Sequence, residues 1–380
     1  MIIFFQELKR IFNWKLLILL VPVTFIIYFL FIEWEVRYFP NGRPAGDIDL
    51  LTREMVSNYD PAYVTEDDLQ DFEAQYKNDI SRADEFIKND QRAQDLGVSS
   101  YSEVWNGRDD EQIDSFYTDI IFNDNHEAQD LFWRIDAGEY IVESGQDFTS
   151  FLENSKNDPR TKERVTEIQN QDEHMSILPD HVLSHFNQYM IQITRLILVS
   201  LLIVLAPVFI RDRKQNLLEL QYSSKVGRKT FLIKASAVLT AAFIIITAWL
   251  IIWISVYLQF DTLVFGEGRL NSYLNSSLFW YNLSFNNYFI IMIVAVYLLC
   301  LCFTTWIIVV SRFSVMYFTL LGILLPSLIL LITQGQRRIM TNFFNLENWK
   351  YFTPTLFFTM IVVALGILVW RMKREKSIAI

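Results

Sequence analysis

Few side chains in this chain have the type and spacing that chemistry needs. His181-x3-His185 would share one helix face, with Asp180, Glu173 and His174 nearby. A zincin needs a Glu beside the first His as general base, and Val182 holds that place. The pair therefore reads as a polar collar where an acidic block joins a membrane span, and no metal is expected. The run Lys225-Val-Gly-Arg-Lys-Thr230 approaches a phosphate loop, which wraps backbone N–H groups around phosphates through Gly-x4-Gly-Lys-Ser/Thr. Here Tyr222 stands where the first glycine belongs, Arg228 intervenes before Lys229, and no strand pattern leads in. The chain by itself is not expected to bind or hydrolyse ATP. Cys300 and Cys302 share one apolar run far from any His, so they read as buried thiols. There is no Gly-x-Ser-x-Gly elbow, the carboxylates are spread as on solvated helices, and no catalytic residue is expected.

Arg195 is the informative charge inside an apolar run. With Gln188 and Gln192 it forms an i, i+4, i+7 stripe on one helix face. At 1.5 Å per residue it lies ~22 Å from Ile210 at the far end of that run. One reading is snorkelling to headgroups. The other is a polar lining of a pathway, favouring an anionic or polar group, or a tether for the acidic block.

The elements that must position these residues follow from composition and charge. Hydrophobic residues make up 52% of the 380 and charged ones 20%. That excess of apolar residues excludes disordered and ordinary soluble classes. Residues 33–189 carry 36 Asp+Glu against 13 Lys+Arg, while the rest of the chain is net basic. An acidic, hydrophilic block is thus inserted into a basic, apolar frame. Since a bilayer core takes about 20 apolar residues, six stretches qualify as spans: roughly 15–32, 190–210, 231–258, 288–310, 314–332 and 354–370. The first reads as a retained span, because no small-x-small cleavage site follows it. Lys and Arg cluster in residues 9–15, 211–229 and 371–376, with Arg312 in the turn between the fourth and fifth spans. The positive-inside rule then puts both termini in the cytoplasm of a multi-pass plasma-membrane protein, of bacterial type.

The expected fold is an all-α integral membrane protein: six transmembrane helices, an N-terminal amphipathic interfacial helix and a mainly helical extracellular domain. Its segments are the interfacial helix at 1–14, the first span at 15–32, the acidic domain at 33–189 and the second span at 190–210. A cytoplasmic segment follows at 211–230, then four spans within 231–370 with outer loops 259–287 and 333–353, and a basic tail at 371–380. In the lead helix Phe4, Phe5, Leu8, Ile11 and Phe12 share a face mostly opposite Gln6, Glu7, Lys9, Arg10 and Asn13. Within the acidic block, Leu69, Phe72, Tyr76, Ile80, Phe86 and Ile87 mark a helix over residues 67–95, with Gly97 as its stop. Helices also fit 127–143, 148–154 and 162–171. Residues 41–60, with Pro40, Pro44 and Pro61, read as irregular chain.

The cytoplasmic segment begins as a polar helix that exposes Leu217, Leu218 and Leu220 and breaks at Ser223, Ser224 and Gly227. Such an apolar patch needs a cover, either the membrane ends or another protein. The segment resembles the loop between the second and third spans of ABC-2-type exporter permeases. The matching residues are Leu218-Glu219-Leu220, Ser223-Ser224, Gly227-Arg228 and Lys234, with Asn216 and Leu217 where Gly-Thr is frequent. The lead helix, the six spans and the last outer loop agree with that family in layout, and a large domain between the first two spans marks a subset of it. The resemblance implies a homo- or heterodimer of permease chains in the lipid bilayer, bound to two separate ABC ATPase subunits that hold ATP and Mg. It makes residues 211–230 a coupling helix. Leu217, Leu218, Leu220 and Tyr222 would be its apolar anchor, and Glu219, Lys225, Arg228 and Lys229 would orient it by charge. The substrate would be a peptide, an antibiotic or a lipid-like compound; no nucleic acid is expected. The alternative is a membrane-anchored receptor with a ligand-binding ectodomain, against which the short cytoplasmic segments count.

Overall fold

In a computed structural model of the chain, residues 2–214, 227–314, 316–336, 339–340 and 344–377 are described. The helices in chain order are α1 (Ile2–Ile11), α2 (Trp14–Ile27), α3 (Glu33–Arg37), α4 (Ala45–Asn58), α5 (Glu66–Asn89) and α6 (Gln91–Leu96). Next come α7 (Tyr101–Asn106), α8 (Glu111–Asn123), α9 (His126–Ser155) and α10 (Lys162–Asn170). The remainder are α11 (Asp180–Leu205), α12 (Pro207–Lys214), α13 (Gly227–Tyr257), α14 (Phe285–Phe313), α15 (Tyr317–Leu330) and α16 (Phe352–Ser377). No strand occurs among the described residues, where one isolated bridge joins Arg269 and Ser284. The protein is all-α, and among the described residues six helical stretches are long and apolar enough to cross a membrane: Ile3–Arg37, Asp180–Asp212, Thr230–Phe260, Phe285–Phe313, Tyr317–Gly335 and Phe352–Arg374. It is a multi-pass membrane protein.

The chain forms two compact units. The first comprises Met1–Arg37, Ser184–Asp261 and Asn287–Ile380. Its hub is the second span: 78% of that span's apolar window is buried, against 17% in the first and fifth spans and 6% in the last. Buried polar atoms tie the hub to its neighbours. The Tyr189 hydroxyl donates to the Trp253 carbonyl at 2.7 Å, Trp249 Nε1 donates to Ser200 Oγ at 3.0 Å, and Tyr288 donates to Asn187 Oδ1 at 2.7 Å. Where water is absent such bonds cannot be traded for hydration, so they fix helix rotation. The first span runs from α2 through a π-helical turn, Tyr28–Ile32, into α3, which extends it to Arg37. A second π-helical turn, Leu331–Gly335, continues α15 into what the sequence marks as the start of a loop at 333.

The second unit comprises Tyr38–Leu183 and Thr262–Asn286. Its helices begin where caps satisfy the leading N–H groups. Thr65 and Asp68 form a capping box at α5, and Asn125 accepts from the Ala128 N–H at α9. Gly97 ends α6 at φ +72°, the left-handed stop its position predicts. The expected helix over 67–95 is divided at Asp90, whose carboxylate caps α6. Around α9, the residues Ile87, Tyr101, Val104, Phe116, Tyr117, Ile120, Phe132 and Ile135 make a continuous core. Gly138 brings α9 close to α5: a Cβ there would meet the Tyr76 ring at 2.7 Å.

Three expectations are corrected. Residues 41–60 are not irregular, because Pro44 precedes α4 and Leu51 and Met55 on that helix are buried. Proline is harmless at a helix start, where its missing N–H would be unbonded anyway. Residues 148–154 are not a separate helix but the end of the 30-residue α9. Most of the stretch expected as a plain loop, residues 262–286, is part of the second unit's interior. Leu270, Asn271 and Ser272 there are fully buried, and a Cβ on Gly268 would lie 2.2 Å from the Ile177 carbonyl oxygen.

Candidate functional site

The residues assigned to an ATPase-binding segment are only partly described. Leu217, Leu218, Glu219, Leu220, Tyr222 and Lys225 lie outside the described residues, and Arg228 and Lys229 fall in the first turn of α13. What is described is how both roots of that segment are held. On the near side Asp212, 1% exposed, accepts from Arg10 Nη1 at 2.7 Å. On the far side Lys234, 2% exposed, pairs with the same Asp212 carboxylate and lies 3.6 Å from Glu7 Oε2. Two acids and two bases thus share one site, in which Asp212 and Lys234 are buried and each needs the opposite charge beside it. The lead helix supplies half of them. Glu7 and Arg10 are half-buried and engage Asp212 and Lys234, Ile11 is buried and Phe5 is exposed, so the expected apolar and polar faces are both divided. No local pattern could have found this cluster. Its lead-helix members, Glu7 and Arg10, lie more than 200 residues from Asp212 and Lys234 in sequence.

The expected stripe on the second span is brought together only in part. Arg195 Nη1 donates to Gln192 Oε1 at 2.7 Å, whereas Gln188 is exposed and stands apart. A second amide partner that the sequence did not reveal is Gln336, just past the end of the fifth span. Its Oε1 accepts from Arg195 Nε at 3.3 Å, while its own Nε2 donates to the Ile191 carbonyl at 3.0 Å. The Phe31 ring lies 5.4 Å from the guanidinium carbon.

The two histidines have separate duties. His185 Nε2 lies 2.9 Å from the Glu35 carbonyl, so that nitrogen carries the proton, since a carbonyl can only accept. His181 Nε2 lies 3.1 Å from Asp49 Oδ1. Burial pushes the Asp49 carboxyl up, but hydrogen bonds from His181 and Arg53 outweigh it and hold the group below its ordinary value. Elsewhere in the second unit Asp136 accepts from Tyr117 at 2.7 Å and Tyr101 at 3.2 Å. There burial wins over both bonds, and the carboxyl is raised. Among the described residues no group of three or more His, Cys, Asp or Glu is arranged to hold a metal ion.

Cys300 is fully buried, as expected, but Cys302 is half-buried. It lines two apolar grooves of the first unit. One, of 540 Å³, also has Trp306, Ser327 and Gln334; the other, of 470 Å³, has Phe243, Leu298 and Leu365.

Comparison with protein-family models, with curated proteins and with solved structures found no match.

Proposed function

We propose that this chain is the membrane-spanning subunit of an ATP-driven exporter of the ABC-2 type, worked by a separate ATPase that binds residues 211–230. The observation that carries the reading is the Asp212–Lys234 pair. It bolts together the two ends of the leucine-bearing segment and ties both to α1 through Arg10 and Glu7. A push on that segment would reach the second span, the third span and the lead helix at once, through contacts that cannot slip without baring a charge. That is the mechanical property a coupling element needs.

The membrane topology has support of its own. Residues 38–183 and 262–286 pack into one unit, which requires the connections between spans one and two and between spans three and four to emerge on the same side. Lys and Arg placement makes that side extracellular and puts α1, as an interfacial helix, on the cytoplasmic face. The apolar grooves beside Cys302 favour a lipid-like or amphiphilic cargo. The exposed first, fifth and last spans leave apolar surface for lipid or for a second permease chain.

The test is co-purification with an ATPase whose gene neighbours this one. Leu217→Ala, Leu218→Ala and Leu220→Ala combined should release the ATPase and abolish its stimulation by cargo. Retention of both would refute the assignment.

A further inference from the structure

Arg195, half-buried in the second span, is compensated differently from Arg164 and Lys234. Arg164 and Lys234 each face a carboxylate, whereas among the described residues the partners of Arg195 are two amides and a phenyl ring, all neutral. A guanidinium left uncompensated within an apolar span costs several kcal/mol. A snorkelling arginine lowers that cost by reaching freely for the headgroups. This one is held in place instead. Gln336 is fully buried and anchored by its own bond to the Ile191 carbonyl, which aims its Oε1 at Arg195 Nε. Gln192, 9% exposed, takes one hydrogen of Nη1.

A guanidinium has five N–H donors, and these two bonds use two of them. Left over among the described residues are the second hydrogen of Nη1 and both hydrogens of Nη2, the edge whose fork matches two oxygens of one phosphate or carboxylate. Phe31 lies over the ring of charge, so an occupant meets that edge in plane. The depth narrows the choice further. Arg195 sits well inside an apolar helix, so an oxyanion reaching it is most readily carried on an amphiphile.

We infer that Arg195, Gln192 and Gln336 form a receptor for a phosphate-type oxyanion, with Arg195 supplying the charge and the two amides positioning it. This deepens the reading of Arg195 as a lining residue and rests only on the chain lying in a bilayer. It does not involve the ATPase, so its test and the co-purification test can fail independently.

The experiment uses the full chain in nanodiscs of equal phosphatidylglycerol and phosphatidylcholine, with retained lipid read by native mass spectrometry after delipidation. The wild type should keep phosphatidylglycerol in preference. Arg195→Gln should lower that retention about tenfold, the loss expected of a charge-assisted bond. Arg195→Lys, which keeps the charge but not the fork, should fall between the two. Gln336→Leu should reduce retention with the charge intact, and Arg37→Gln, at an exposed arginine, should change nothing. If Arg195→Gln does not fold, Arg195→Lys and Gln336→Leu carry the test. Excess inorganic phosphate decides the source: retention that survives it identifies a lipid headgroup, and displacement identifies free phosphate in the same receptor. Equal retention by wild type, Arg195→Lys and Gln336→Leu would overturn the inference and leave Arg195 as a structural charge.

Discussion

Arg164 and Glu173 meet fork to fork in the interior of the second unit. Nη1 donates to Oε1 at 2.8 Å and Nη2 to Oε2 at 2.6 Å, with the two side chains 5% and 1% exposed. Asn271, from the distant segment 262–286, adds a third donor to the same carboxylate at 2.8 Å, and Arg164 Nε reaches the Phe279 carbonyl at 3.3 Å. The pair is therefore the point where two remote stretches of chain are fastened. Removing one partner strands a buried charge at a cost of about 3–5 kcal/mol, whereas replacing both with apolar residues costs less. Arg164→Met should sharply lower the melting temperature of the second unit, followed by tryptic cleavage within residues 38–183. Arg164→Met with Glu173→Leu should recover part of the loss. Equal damage from the single and double variants would show that packing, not charge, is at stake.

Gly268 tests the same seam by shape alone. An added Cβ would fall 2.2 Å from the Ile177 carbonyl oxygen and 3.1 Å from Leu178 Cβ, and the first of these is backbone with little freedom to retreat. Gly268→Ala should destabilise by about 1–3 kcal/mol, the usual range for overpacking. Gly322→Ala, in a helix with nothing within 4 Å of the new atom, should be neutral or slightly stabilising. Thermal unfolding of the two variants side by side separates these outcomes.

The pH response of the second unit should carry a histidine signature. Burial lowers the His174 pKa below its ordinary 6.5, outweighing the attraction of Asp172. Its ring stacks on Phe148 at 5.6 Å. In the window below 6.5 the unfolded chain binds a proton that the folded one refuses, so stability falls as pH drops through it. The raised carboxyls of Asp47, Asp136 and Glu139 act oppositely as they take up protons in the folded state. The His174 share is isolated by difference. His174→Phe should flatten the decline in melting temperature below pH 6.5, and parallel curves for variant and wild type would refute it.

At the other end of the molecule, Asp212→Asn should free the lead helix. The change leaves Arg10 and Lys234 with Glu7 as their remaining carboxylate in the cluster. Amide exchange over residues 3–11 should rise at least tenfold, corresponding to about 1.4 kcal/mol or more of lost protection. Lys234→Met combined with Asp212→Leu, which keeps Arg10 facing Glu7, should restore much of it.

What could be read from the chain beforehand was whatever rests on neighbours in sequence. The six apolar stretches were legible because a span is a local property, and so was the stop at Gly97, where a left-handed residue ends a helix. The helix α4 was missed because three prolines outweighed the burial pattern of Leu51 and Met55, although Pro44 falls where a helix tolerates it. Gln192 beside Arg195 followed from helical spacing. Gln336 did not, because its approach depends on how two spans pack. Asp212 and Lys234 were likewise opaque: each looks like an ordinary charge near a span end until Arg10 and Glu7 arrive from elsewhere. The role of 262–286 was hidden for the same reason, since the Asn271 side-chain N–H group meets its carboxylate only when Glu173 is in place.

That divided construction of the second unit has a consequence for biogenesis. The polypeptide leaves the unit after Leu183 and returns to it only at Thr262. At a synthesis rate of ~5–20 residues per second the missing piece emerges some ~4–16 s later. Until then the Glu173 carboxylate has neither its Asn271 donor nor its cover, and the Ile177 backbone that will hug Gly268 is open to water. A newborn chain of this protein must therefore complete two more apolar spans before the second unit can close over Glu173 and Ile177.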